Sequence, residues 1–159
     1  MFYKSFIILS IFTVSLFSEN FSSHLKLEKA VMQEETAIDT LGIKSTKLKP
    51  VKMVQSGTVL VYLNRLYNGS RQVKHDLLVV NPIPLKTTYI RGSASCEGSC
   101  KILFSIDGGK TFDYGEKLFV RYGSKKRMAI GSEYTHIKFM FHSLMPFSRT
   151  KMAFKSRVK

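Results

Sequence analysis

The sequence predicts an all-β protein built as an antiparallel β-sandwich, and three observations support this prediction. Short runs rich in Val, Ile, Thr, Tyr and Phe recur along the chain, and about seven of them have the character of strands. Gly, Pro, Asn and Asp mark turns between these runs roughly every eight to twelve residues. No segment keeps the 3.6-residue apolar period of a long helix.

Three strands are expected in the first half of the chain. Residues 24–29 alternate polar and apolar side chains with the period of two that is typical of a half-buried strand. Residues 31–38 are compatible with a helical turn, but residues 39–42 resemble a hairpin end, which favours a second strand over residues 45–54. Residues 58–63 form an unbroken β-branched and apolar run, which fits a central strand better than an edge.

The second half of the chain continues the strand pattern. Residues 73–80 predict a strand that Pro82 and Pro84 should stop, because proline cannot donate to a β-ladder. Residues 88–95 and 101–106 are the next two predicted strands. Two late runs alternate buried-type and solvated residues, with Ile137, Phe139 and Phe141 apolar in the first and Met152, Phe154 and Val158 apolar in the second.

The first 23 residues have the layout of a secretory signal peptide. Lys4 precedes an apolar run over residues 6–17, and 12 residues are too short for a bilayer, which needs about 20 apolar residues. Small polar residues follow, so cleavage is expected between residues 18 and 23. An uncleaved anchor is the alternative, and contact with a membrane is expected only through this segment if it remains.

Residues 24–159 are enough for one domain with a single core. The chain is 44% hydrophobic with 12 Phe and 7 Tyr, which favours a packed domain over disorder. It carries 25 Lys and Arg against 11 Asp and Glu, a net charge of +14. Such a surface attracts anionic polymers such as envelope glycolipid, acidic polysaccharide or DNA, although a generally basic surface without a specific site is the alternative.

The two cysteines, Cys96 and Cys100, predict a disulfide. In an exported chain a close pair favours a structural bridge over a metal or redox site. The flanking strands and the central Gly98 predict a hairpin, across which the two cysteines would face each other. A redox-active pair is the alternative, but it usually has two intervening residues and a helix N-terminus.

Residues 105–112 match the Asp-box pattern Ser-x-Asp-x-Gly-x-Thr-aromatic of sialidase-type propellers. Its physical content is a turn in which Asp107 accepts hydrogen bonds from nearby amides while Gly108 and Gly109 supply positive φ. A propeller needs one copy per blade, and the chain has a single copy. The motif therefore predicts a turn that satisfies its own hydrogen bonds.

A metal site at residues 136–145 is a further hypothesis, because His and Met together suit copper. His136 and His142 would stand about 20 Å apart on a regular strand, which is too far to share an ion. A site from Met140, His142 and Met145 would require the chain to turn after Phe141. We predict no metal and no cofactor.

The last strand is expected to place four cations on one face: Lys151, Lys155, Arg157 and Lys159. This face is a candidate anion-binding surface, but a lysine-protected sheet edge explains it equally well. A second cluster, Lys125, Lys126 and Arg127, is expected in a loop. Aromatic residues do not alternate with these cations as single-strand nucleic-acid platforms require, so no specific nucleic acid is predicted.

The sequence contains no recognisable catalytic motif. It lacks a His-Glu-x-x-His zinc motif, a Gly-x-Ser-x-Gly elbow and a phosphate-binding glycine loop. Its carboxylates are few and scattered, and Glu34 and Glu35 are adjacent, so they would lie on opposite faces of a strand. The sequence therefore predicts a protein that is not an enzyme.

Several segments together resemble the bacterial exported conserved-repeat family, known as domain of unknown function eleven. They are residues 46–50, 56–62, 81–84, 92–94, 105–112 and 135–139. The resemblance covers nearly all of residues 24–159, although Gln55-Ser56-Gly57-Thr58 stands where the family usually has Pro-Gly and an acidic residue. The Cys96–Cys100 loop and the strong basic charge also depart from the family.

This resemblance implies an immunoglobulin-like β-sandwich, exported to the periplasm or cell surface of a bacterium, with no catalytic residues. The expected function is a structural or adhesive role in the cell envelope, exerted on an unspecified protein partner. The alternative is a periplasmic binding module for an anionic envelope polymer or, less favoured, for a metal ion.

Overall fold

The computed structural model describes residues 24–38 and 40–159, so the predicted signal peptide lies outside the described residues. Within them the chain forms eleven strands and one 3₁₀ turn, Gly115–Lys117. The strands are β1 (Leu25–Ile38), β2 (Lys44–Pro50), β3 (Val59–Asn68), β4 (Lys74–Pro82), β5 (Thr87–Tyr89), β6 (Ser95–Cys96), β7 (Cys100–Ser105), β8 (Phe119–Tyr122), β9 (Lys125–Met128), β10 (His136–Leu144) and β11 (Arg149–Val158).

The strands form two main sheets and a separate hairpin. The first sheet has the order β2-β1-β3-β11-β5, and β6 also pairs with β11. The second sheet has the order β4-β10-β7, while β8 and β9 pair only with each other. Every pairing is antiparallel. The prediction of an all-β antiparallel protein is confirmed.

One hydrophobic core joins the two sheets, as in a β-sandwich. Phe154 and Met152 point into it from β11, and Phe139 and Ile137 point into it from β10, all at most 1% exposed. Inward apolar residues therefore alternate with outward polar ones along both strands, as their sequence predicts. The run that begins at Val59 lies between β1 and β11, so its predicted central position is also confirmed.

The β1–β2 pair extends away from this core. The segment 31–38 is strand, not a helical turn, because β1 changes partner along its length. It pairs with β3 as far as Glu34, while β2 pairs with it from Met32 to Ile38. The second predicted strand ends at Pro50 and not at Val54, and Pro50 forms the last pair with β1.

Two other predicted boundaries were wrong for identifiable reasons. β4 continues through Pro82 because it is the edge strand of its sheet. The amide of Ile83 donates to Thr135 O at 2.8 Å, and amides alternate sides along a strand, so the nitrogen of Pro82 faces outward, where no hydrogen is needed.

The predicted strand over residues 88–95 is split into β5 and β6 by a turn at Gly92, whose φ is 77°. Both pieces still pair with β11. Between them the hydroxyl of Ser93 accepts a hydrogen bond from the amide of Lys155 at 3.0 Å. A side chain thus occupies the position that a strand carbonyl would otherwise take.

Candidate functional site

Cys96 and Cys100 form a disulfide that connects the two sheets. Their sulfur atoms are 1.97 Å apart and their Cα atoms 6.5 Å apart. Cys96 lies in β6 and is opposite Met152 in the first sheet, whereas Cys100 lies in β7 and is opposite Phe141 in the second sheet. The bridge therefore closes the point at which the chain crosses from one sheet to the other.

The prediction that these cysteines bracket a hairpin was wrong. β6 and β7 do not pair with each other, because β6 bonds to β11 and β7 bonds to β10. The loop between the cysteines is tied to the first sheet, since the amide of Glu97 donates to Lys151 O at 2.8 Å. The carbonyl of Glu97 also accepts from the hydroxyl of Thr150 at 3.0 Å.

Removing this bridge should lower stability moderately. The double variant Cys96→Ser/Cys100→Ser is expected to lose about 2 kcal/mol of unfolding free energy, the loop-closure entropy of a five-residue ring. Urea unfolding followed by circular dichroism measures the change. Reductant should produce the same loss in the wild type and no loss in the variant. Unfolding midpoints that agree within error for wild type and variant would contradict a stabilising bridge.

The Asp107 turn satisfies its own hydrogen bonds. The hydroxyls of Ser105 and Thr111 donate to its carboxylate at 2.7 and 2.6 Å. The amides of Lys110 and Thr111 donate to it at 3.1 and 3.0 Å. Gly108 and Gly109 have φ values of 77° and 85°. These four hydrogen bonds fix the carboxylate within its own turn, so the motif has a structural role.

These hydrogen bonds, the Ser105 hydroxyl first, hold the pKa of Asp107 well below its usual value. A depressed pKa stabilises the fold above the unfolded pKa of about 4, and this contribution is lost as pH falls from there toward the folded pKa. Asp107→Asn is therefore expected to lower the melting temperature at pH 7 and to flatten its decline below about pH 4. Thermal unfolding between pH 2 and pH 7 tests this, with Asp76→Asn as a control at an exposed carboxylate. Parallel pH profiles for wild type and Asp107→Asn would contradict the assignment.

The four cations expected on the last strand lie at its outer face or its end, and three of them have protein partners. Lys151 pairs with Glu97 at 2.9 Å, and Lys155 pairs with Glu34. The guanidinium of Arg157 donates to Gly57 O at 3.1 Å. Lys159 follows the strand and is exposed. Protein partners thus offset much of the charge of the predicted anion-binding face.

A second group of cations lies at one corner of the same outer face. Lys26, Arg65 and Arg149 project from β1, β3 and β11, and the guanidinium of Arg149 lies 5.8 Å from the ring of Tyr67. The ammonium of Lys26 is 2.7 Å from Glu28. The pKa of Glu28 lies below its usual value, chiefly through the hydrogen bond from Lys26, with Arg65 and Arg149 adding positive potential. Three cations and one carboxylate therefore lie together at this corner, which the sequence did not predict.

The cluster at residues 125–127 lies in strand β9 and not in a loop. β9 pairs with β8, which brings aromatic rings beside the cations. The ammonium of Lys126 lies 4.1 Å from the centre of the Phe119 ring, and the guanidinium of Arg127 lies 5.1 Å from that of Tyr122. The sequence separation of these residues concealed the arrangement, which depends on the strand pairing.

The histidines of the hypothetical metal site do not meet. The ring of His136 lies beside Gly109 and contacts the Thr135 hydroxyl at 3.2 Å. His142 is exposed, with its Nδ1 3.9 Å from the Asp76 carboxylate and its ring 6.0 Å from that of His75. Within the described residues, no three His, Cys, Asp or Glu side chains are grouped closely enough to hold a metal ion.

The edge strand β2 ends the first sheet. All seven of its residues are exposed, and nothing pairs with its outer side within residues 24–38 and 40–159. Apolar side chains on and beside the β1–β2 pair are also exposed, including Ile38 at 63%, Leu48 at 44% and Met53 at 70%. The sequence predicted a strand here, and its three lysines and Pro50 are the signal that could have placed it at an edge.

Comparisons of this chain with protein-family models, with curated proteins and with solved structures gave no match. No helix in the described part of the chain is long and apolar enough to cross a membrane.

Proposed function

We propose that this protein is a non-enzymatic, exported β-sandwich with a structural or adhesive role in the envelope of a bacterial cell. It acts by binding a partner at its surface. The observation that carries the proposal is the exposed edge strand β2 with the apolar side chains beside it. The Cys96–Cys100 disulfide is compatible with the oxidising compartment that export would provide.

The edge of β2 suits the addition of a strand from another chain. Its outer side presents backbone amide and carbonyl groups, which give affinity in β-strand addition, and side-chain contacts give specificity. Leu48 and Ile38 supply exposed apolar area next to this edge. Lys44, Lys47 and Lys49 lie on β2 itself. Like charges oppose pairing of two copies of β2, so these lysines favour a strand from a different protein.

The resemblance to the conserved-repeat family supports the same role. We include in the proposal a fold related to the immunoglobulin sandwich in its two facing antiparallel sheets. The strand arrangement differs from that of an immunoglobulin domain in one respect. In an immunoglobulin domain the last two strands pair within one sheet. Here β10 and β11 lie in different sheets.

The proposal is tested by cross-linking in the native host. A photoreactive residue is placed at Thr46 in β2 and, as a control, at Lys110 in the Asp107 turn, both of which are exposed. The expected result is one defined adduct to an envelope protein from Thr46, unchanged by added salt, and no such adduct from Lys110. Equal adducts from both positions, or none from either, would reject the edge-strand contact.

Export is tested separately by the intact mass of the protein from the envelope fraction. A mass that lacks the first 18 to 23 residues and is two hydrogens short is expected. A full-length mass with two unmodified thiols would overturn the exported role and reopen redox chemistry at Cys96 and Cys100.

A periplasmic binding module for an anionic envelope polymer is the second candidate function, with a metal ion as its less favoured ligand. The corner formed by Lys26, Arg65 and Arg149 favours the polymer. Binding there would weaken steeply as salt is added, because screening acts on exposed charges. Charge-reducing variants Arg65→Gln and Arg149→Gln would lower the affinity for an acidic polysaccharide, whereas a β2 contact would not change.

A further inference from the structure

The β8–β9 hairpin stands apart from both sheets. Its two strands pair only with each other, and its residues from Arg121 to Arg127 are all exposed. The hairpin is anchored at its base, where the amide of Ala129 donates to Leu118 O at 2.8 Å. Both of these residues are buried, and Val120 packs against the core. The tip is therefore presented to solvent on a firmly held base.

The hairpin combines exposed apolar rings with uncompensated positive charge. Phe119 is 41% exposed, Tyr122 62% and Met128 39%. Residues 117–130 contain five cations and no carboxylate. Register places Phe119 opposite Met128 and Arg121 opposite Lys126, so these four side chains share one face. Tyr122 and Lys125 form the last pair before the turn, and their side chains lie on the other face of the hairpin tip.

One of the five cations, Arg127, has a structural role within the protein. The other cations are not part of its ion pair. Arg127 donates to both carboxylate oxygens of Glu133 at 2.8 and 2.7 Å. The pKa of Glu133 is lowered, first by Arg127 and then by the amide of Ile130. This ion pair fixes the base of the hairpin. Arg121, Lys125 and Lys126 have no carboxylate partner among the described residues.

We propose that the β8–β9 hairpin binds the surface of an anionic lipid bilayer. Arg121, Lys125 and Lys126 contact lipid phosphates, while Phe119 and Tyr122 enter the interfacial region. Tyr122 suits that region because one end of its ring is apolar and the other is polar, and Phe119 adds apolar area. This surface is separate from the β2 edge, so the inference goes beyond the proposed function and does not depend on it.

The side chains favour a lipid surface over an anionic polysaccharide. The hairpin is a projecting ridge and not a groove that could follow a polymer chain. Met128, and Ile130 at 49% exposure, add apolar area beside the cations. Sulfur and aliphatic groups gain from an acyl environment, whereas a polysaccharide would offer them only hydroxyl-rich surface.

The first test measures binding of the full chain to vesicles of phosphatidylcholine with and without phosphatidylglycerol. Because every variant has the same N-terminus, any difference in binding between variants is due to the substituted residues. The variant Arg121→Gln/Lys126→Gln is expected to bind anionic vesicles roughly 25-fold more weakly, about fivefold for each cation near the surface. The control Lys44→Gln/Lys47→Gln removes the same charge from β2 and should change binding by less than about threefold.

A second test reports insertion directly. The chain has no Trp, so Tyr122→Trp introduces a single tryptophan at the tip, which can be excited selectively over the tyrosines. Its emission is expected to shift to shorter wavelength on anionic vesicles and to stay unchanged on neutral ones. Leu85→Trp is the control, because Leu85 is 94% exposed and lies outside the hairpin. Its emission should not shift.

Three results would overturn the proposal. The first is equal loss of binding in the hairpin and β2 charge variants, which would mean that net charge alone acts. The second is an unshifted emission from the Tyr122→Trp variant on anionic vesicles that do bind the protein. The third is binding to a soluble acidic polysaccharide that depends on Arg121 and Lys126 while vesicles do not bind. Circular dichroism confirms that each variant is folded, and all the substituted side chains are exposed.

Discussion

Asn68→Ala is expected to lower the free energy of unfolding by about 3–5 kcal/mol, because it would leave several buried polar groups without partners. Asn68 is fully buried at the end of β3. Its side-chain amide donates to the carbonyls of Gln72, Leu144 and Met145 at 2.8, 3.0 and 3.1 Å. Its side-chain oxygen accepts from the amide and hydroxyl of Ser70 at 3.1 and 2.7 Å.

This network joins two connections between the sheets. Residues 69–73 lead from β3 to β4, and residues 145–148 lead from β10 to β11, and both pairs of strands lie in different sheets. One side chain thus bonds to both connections, so its loss is expected to affect the registration of the two sheets as well as their stability. The Asn68→Ala variant should therefore also show faster amide exchange than the wild type in both connections.

Chemical denaturation of the variant measures the loss, and Ser70→Ala is the matched control. The hydroxyl of Ser70 takes part in three of the hydrogen bonds in the network, but in none to the β10–β11 connection. Its replacement should therefore cost about 1 kcal/mol. If Asn68→Ala lowers the free energy of unfolding by less than Ser70→Ala does, the Asn68 network does not stabilise this end of the β-sandwich.

Phe154→Ala is expected to cost about 3–5 kcal/mol, the range for removing a buried phenylalanine and leaving a cavity. Phe154 has no exposed surface. It lies opposite Tyr62 in the β3–β11 register, and the two rings stack with their centres 4.5 Å apart. Because β11 joins β3 to both β5 and β6, a cavity here weakens the middle of the first sheet.

Phe119→Ala serves as the control for this second substitution, since Phe119 is 41% exposed on the β8–β9 hairpin. It should change the free energy of unfolding by less than about 1 kcal/mol. Urea unfolding of the two variants under the same conditions compares them directly. Similar losses at both positions would contradict the placement of Phe154 in the core.

Strand identity and strand faces could be predicted from the sequence, because both depend on the local period of two. Ile137, Phe139 and Phe141 were expected on one face of a strand, and all three are buried. The Asp107 turn could also be predicted from the sequence, since Ser105 and Thr111 lie within four residues of the carboxylate they contact. Hydrogen bonds between such near neighbours form whichever sheets surround them.

The candidate interaction surfaces could be predicted less well from the sequence. Lys151 and Lys155 lie on the outer face of β11, but their partners Glu97 and Glu34 are far away in sequence. Phe119 lies seven residues from Lys126, and only the turn between β8 and β9 brings ammonium and ring together. The three lysines and Pro50 in residues 44–50 are typical of an edge strand, but which strand pairs with the inner side of β2 depends on its long-range register with β1.

The sequence by itself determined that this chain forms short antiparallel strands with defined inner faces, since side-chain alternation is a property of each strand alone. Only the tertiary structure decided which strands pair. Cys96 and Cys100 show the difference, because their spacing fits a hairpin and a link between sheets equally well. The long-range ladders of β6 with β11 and of β7 with β10 select the link, and hydrogen bonds between residues so distant in sequence leave no local signal.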